Sequence, residues 1–110
     1  MKHFNKINCG ASVAHAHATF AQEIYKKLTP IEEVKLRKCS ATVLYYRMPD
    51  GDTVYLLKSY QTIVAMVDEG GVGIDFLRYV YGYTATSAQH IAKFFADYCD
   101  DFADIFTYKP

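Results

Sequence analysis

Between Ala41 and Phe76 short apolar runs alternate with turn residues: ATVLYYRM, TVYLLK, TIVAMVD and VGIDF are separated by PDGD, SYQ and EGG. Val, Ile, Thr, Tyr and Leu at this spacing predict strands at Cys39–Met48, Thr53–Lys58, Thr62–Asp68 and Val72–Val80. The connections are too short for parallel crossovers, so the expected arrangement is a four-stranded antiparallel meander over about 39–80. Pro49-Asp50-Gly51-Asp52 makes the first hairpin turn, with Gly51 where positive φ is needed, and Glu69-Gly70-Gly71 makes the second. Val54, Leu56, Ile63, Ala65 and Val67 fall on one face by simple alternation. Leu57, Val64 and Met66 fall on the other, so both faces carry apolar groups.

Helical periods flank this sheet. Val13, His17, Phe20, Ile24 and Leu28 form one stripe of a helix over about 11–28, capped by Ser12 or Asn8 and stopped before Pro30. Thr29-Pro30-Ile31-Glu32 reads as a new N-cap and first turn, followed by extended chain to residue 38. After Tyr81-Gly82-Tyr83, Thr86 and Gln89 form a capping box for a helix over about 86–99. Its Ile91, Phe94, Phe95 and Tyr98 suit packing on a sheet. Residues 1–10 read as loose, and 100–110 as a helix extension or a packed tail. The expected fold is α+β: one domain, 1–110, with a helix from each end on the meander.

Composition adds little that is unusual. Half the residues are hydrophobic and 22% are charged, with three cysteines. That number and its irregular spacing fit reduced thiols rather than a disulfide framework. No apolar run is long enough for a membrane span and no signal-peptide pattern follows the first lysines, so a cytoplasmic location is expected. Net charge is zero but unevenly spread. Residues 1–47 hold eight Lys/Arg and three Glu, a balance of +5, and residues 48–110 hold four and nine, a balance of −5. These are either two solvated faces or two docking surfaces of opposite sign.

Chemistry-bearing motifs are sparse. Cys9, His15 and His17 suggest zinc, but i and i+2 on a helix point about 200° apart, and the spacing matches no standard template. His90 has Asp75, Asp97 and Cys99 as conceivable partners, without a spacing that selects one; a packing histidine explains it as well. Ser59, Tyr60 and Thr84–Ser87 read as turn and cap residues. No nucleophile elbow and no phosphate-binding glycine loop is present. Seven of the ten tyrosines lie in or beside the expected sheet. Among these Tyr79, Tyr81 and Tyr83, with Arg78, are the expected partner-binding group, since tyrosine and arginine are enriched at interfaces.

Two segments, VYLLKSYQTIVAMVD and YVYGYTATSAQHIAKF, resemble a group of small proteins of bacteriophages and bacterial mobile elements. These share a KSYxTxVA strand pair and a TxTSxxHIxKF helix. The resemblance covers the second half of the chain and carries no catalytic residues. It implies a phage or mobile-element origin in a bacterial host. By context and size it implies an inhibitor of a host defence protein, anti-CRISPR proteins included. The expected function is therefore a non-enzymatic protein–protein interaction. A small nucleic-acid-binding module is one alternative, through Lys26, Lys27, Lys35, Arg37, Lys38 and Arg47 or through an acidic mimic surface at Asp97, Asp100, Asp101 and Asp104. A zinc-binding metalloprotein is the other.

Overall fold

The computed structural model describes residues 2–36, 41–80 and 85–109. The chain is α+β, as the pattern predicts, but the sheet is larger and of mixed sense. Strands β1 (Asn5–Cys9), β2 (Glu32–Lys35), β3 (Ala41–Arg47), β4 (Thr53–Ser59), β5 (Thr62–Val67), β6 (Gly73–Asp75) and β7 (Asp104–Tyr108) form one sheet. Their order is β1-β7-β6-β5-β4-β3-β2. The expected meander is present as the antiparallel run β3-β4-β5-β6. Added to it are an antiparallel edge strand, β2, and two parallel strands, β7 and β1, from the chain ends.

Four expectations need correction. Residues 1–10 are not loose: Asn5–Cys9 pairs in parallel with Asp104–Tyr108, which is the strand that ends the tail. The segment after Pro30 is not a helical turn. Ile31 donates its N–H to the Tyr45 carbonyl at 2.7 Å, and β2 follows at once, so pairing overrides the capping signature. The fourth strand stops at Asp75. Its Oδ1 accepts the Leu77 N–H at 2.9 Å, which turns the backbone into the short helix α2 (Leu77–Val80). The helix caps also differ. Helix α1 (Ala11–Lys27) starts after Gly10 without a side-chain cap. In helix α3 (Ala85–Tyr98) Thr86 lies inside the helix, and any cap falls outside the described residues.

The two long helices lie on opposite faces of the sheet. Helix α1 packs Ala18, Ala21 and Ile24 against Leu44, Tyr46, Leu56, Met66 and Ile74. Its buried line is Ala14, Ala18, Ala21 and Ile24. The expected bulky stripe is only partly inward: Ile24 is buried and Leu28 packs against this core, whereas Val13 and Phe20 are turned away, 42% and 45% exposed. Alanines let the helix backbone approach a sheet closely, so the small side chains face inward here. Helix α3 packs Ile91, Phe94 and Phe95 against Val43, Leu57, Val64, Val67 and Ile105.

Face assignment on β5 departs from alternation because of a bulge. Leu57 pairs with Ala65, but Lys58 pairs with Ile63, leaving Val64 as the extra residue. A bulge places two successive residues against one partner and shifts everything beyond it by one position. Ile63 and Met66 therefore join the α1 side, while Val64, Ala65 and Val67 join the α3 side. Among the described residues no helix is long and apolar enough to cross a membrane.

Candidate functional site

Pairing places the turns β3–β4, β5–β6 and α3–β7 at one end of the sheet, since β6 and β7 start side by side. Asp50 and Asp52 sit in the first turn, Asp68 and Glu69 in the second, and Asp100 and Asp101 in the third. They are close neighbours. The Asp100 N–H reaches the Gly71 carbonyl at 3.3 Å. Glu69 shares a hydrogen bond with Asp52, and this bond with the surrounding Asp52, Asp50 and Asp68 charges raises its carboxyl above the ordinary glutamate range. Beside this acidic end two hollows of about 340 and 220 Å³ meet at Phe20. They are lined by Ile24, Leu28, Met48, Pro49 and Val54, with Asp50, Asp52, Asp68 and Glu69 on one rim and Glu23 and Lys27 on the other.

The opposite end carries Arg78 and Tyr79 on α2. Arg78 is exposed. Tyr79 is half-buried and engaged inside the molecule: its Oη lies 2.7 Å from His15 Nδ1, and its ring meets Tyr108 edge-on at 5.6 Å. Tyr81 and Tyr83 lie outside the described residues. The remaining sheet tyrosines serve mostly packing. Tyr46 is 1% exposed, while Tyr45, Tyr55 and Tyr98 stack in succession at 4.8 and 4.6 Å along the α3 face. Among the described residues Tyr60, in the β4–β5 turn, is the tyrosine that stands out, at 52% exposure, beside Lys35 and Lys58.

A third feature was not legible as a motif. On the α3 face, register aligns Gly73, Ile105 and Lys6, and one step on Asp75, Thr107 and Asn8. Ala88 and Ala92 of α3 lie above them and are too short to fill the space. A cleft of about 340 Å³ results, walled by Phe4, Ile91, Phe95 and Ile105, with Lys6, Asp75 and Thr107 as its polar groups. It meets a hollow of about 160 Å³ lined also by Arg78 and Lys109. Burial raises the Asp75 carboxyl, opposed by the Leu77 N–H and by the Lys6 and Arg78 charges.

The zinc candidates do not converge. His15 is exposed and bonded to Tyr79, His17 is half-buried two residues on, and Cys9 is half-buried on β1. Among the described residues no group of three or more His, Cys, Asp or Glu side chains is placed to hold an ion. His90 is 5% exposed, and among the described residues its Nδ1 has no hydrogen-bond partner. Asp97 is instead paired with Lys93 at 3.1 Å. The basic residues do not form one patch either: Lys35 pairs with Thr42 at one end of β3, whereas Arg47 closes the other end. Arg37, Lys38 and Cys39 lie outside the described residues. No protein-family model, curated protein or solved structure matches the chain.

Proposed function

We propose that this chain works by binding another protein rather than by catalysing a reaction, and that the acidic end with Phe20 is its docking face for a basic protein surface. The observation that carries this reading is the gathering of Asp50, Asp52, Asp68 and Glu69 from two turns on the rim of an apolar hollow, with Asp100 and Asp101 of a third turn at the same end of the sheet. Carboxylates this close repel one another, as the raised Glu69 carboxyl records. An approaching cationic surface relieves that repulsion and is steered toward it from a distance. Phe20, Met48 and Pro49 supply an apolar centre within a charged rim, which is the usual anatomy of an interface.

The resemblance to phage proteins gives this binding a biological form. A host defence protein that handles nucleic acid presents a basic surface, and an acidic face that occupies it inhibits the protein, as an anti-CRISPR protein would. The opposite end, with Arg78 and Tyr79, followed in sequence by Tyr81 and Tyr83, is the second docking candidate. Nucleic-acid binding is the rival reading, supported by Lys35 and Lys58 flanking Thr42 beside the exposed Tyr60.

The test is capture from a bacterial host lysate at low and high salt, with circular dichroism to confirm folding. Wild type is expected to retain a basic protein at low salt and release it as screening increases. An Asp52→Lys/Glu69→Lys variant and a Phe20→Ala variant are expected to lose it. Loss on Tyr81→Ala/Tyr83→Ala instead would move the site to the other end. Equal capture by all variants, or a shift of free DNA by the chain alone, would overturn the acidic-end reading.

A further inference from the structure

The cleft beneath α3 is separate from the acidic end, and its composition is specific. Its volume, about 340 Å³, lies within the range of small-molecule sites. Three features fix its character. Phe4, Ile91, Phe95 and Ile105 make an apolar box that Ala88 and Ala92 leave open. Lys6 stands at its edge, and the adjoining hollow adds Arg78 and Lys109 to the cationic side. Asp75, half-buried, stands between the two spaces as the one carboxylate lining them among the described residues.

Position adds a second argument. β6, β7 and β1 run parallel, and Asp75, Thr107 and Asn8 lie near their carboxyl ends. Lys6, with Phe4 and Ile105, lies toward their amino ends, so the cleft presents its two charges at different levels along the strands. A ligand that satisfies every group in the cleft has an apolar body, an ammonium for Asp75 and a carboxylate for Lys6. Lys6 and Arg78 already offset the Asp75 charge, so a ligand with one charge complements one side of the cleft and a zwitterion complements both.

We propose that the cleft formed by Phe4, Lys6, Asp75, Phe95 and Thr107 binds a small zwitterion with an apolar side chain, of the class of the free apolar amino acids. Such binding gives the protein a small-molecule input that is independent of its docking face.

The experiment is amide-resolved NMR titration of the full chain with L-phenylalanine, 3-phenylpropionate and 2-phenylethylamine. Phenylalanine is expected to shift signals of Lys6, Asp75, Ala88 and Thr107 and to saturate with Kd below about 1 mM. Each single-charge analogue is expected to bind about tenfold or more weakly. Lys6→Gln is expected to weaken phenylalanine about tenfold and leave phenylethylamine unchanged, and Asp75→Asn to weaken both. Asn keeps an acceptor for the Leu77 N–H, and Lys6 is exposed, so both variants fold. Absence of saturation by about 10 mM, shifts scattered away from the cleft, or variants that bind like wild type would each overturn the proposal.

Discussion

Cys99 shows how strongly a single environment sets chemistry in this chain. It closes α3, is 2% exposed, and burial pushes its thiol up to about 12. The thiolate is the reactive form, so at neutral pH this cysteine is nearly inert while folded. In a Cys9→Ser/Cys39→Ser background, maleimide at pH 8 is expected to label Cys99 only once denaturant unfolds the chain. Labelling of the native protein at the rate of an exposed thiol would show that α3 does not cover it. Glycines beside it illustrate the complementary constraint. A Cβ on Gly73 would stand 2.6 Å from the Ile105 side chain and 3.0 Å from Cys99 Sγ, so only glycine lets the helix settle on β6.

Among the elements, α3 packs Ile91, Phe94 and Phe95 onto one face of the sheet. Phe94 is 0% exposed and its ring lies 5.7 Å from Phe95 and 5.5 Å from Tyr98. Phe94→Ala is expected to cost about 3–5 kcal/mol, as transfer and cavity terms combine. A loss below about 1 kcal/mol in denaturant melts would place the helix elsewhere. This helix was legible because a bulky stripe at helical spacing has few alternatives. The central strands were legible for the same reason, with their hairpin turns. Strands β1 and β7 were not. NKINC and DIFTY are short, and their pairing joins residues 99 apart, as Asn5 with Asp104, so no local pattern announces it. The rotated face of α1 was missed because a period weighted by bulk overlooks alanine. The candidate site was missed for a related reason. Carboxylates in three turns and a lysine on an edge strand become neighbours only when register is known.

At the scale of the whole molecule, carboxylates from three turns gather at one end of the sheet, where Arg47, Lys27 and Lys2 also lie. Folding brings Asp50, Asp52, Asp68, Glu69, Asp100 and Asp101 together from turns that are far apart in the unfolded chain, and so introduces repulsion that the unfolded chain lacks. This has a definite sign in pH. The Glu69 carboxyl is raised by the hydrogen bond and charges of its acidic neighbours, and the Asp75 carboxyl is raised by burial. A carboxyl whose folded pKa lies above its unfolded value binds more protons when folded, so stability falls as pH rises from the ordinary carboxylate range through the raised folded value. These two groups therefore favour mildly acidic over neutral conditions. Salt acts in the same direction at neutral pH, since exposed charges are screened beyond about 10 Å at 0.1 M. Wild-type melting temperature is expected to rise when salt is added at pH 7 from a low-salt buffer, and to rise as pH falls from neutral through the raised folded values toward the ordinary carboxylate range. Asp52→Asn is expected to reduce both slopes, because it removes the charge that Glu69 faces most directly. A melting temperature indifferent to salt at pH 7, or equal slopes in wild type and Asp52→Asn, would mean that the six carboxylates are each solvated separately. The acidic end would then be a surface rather than a field, and the steering that the docking proposal assigns to it would have no source.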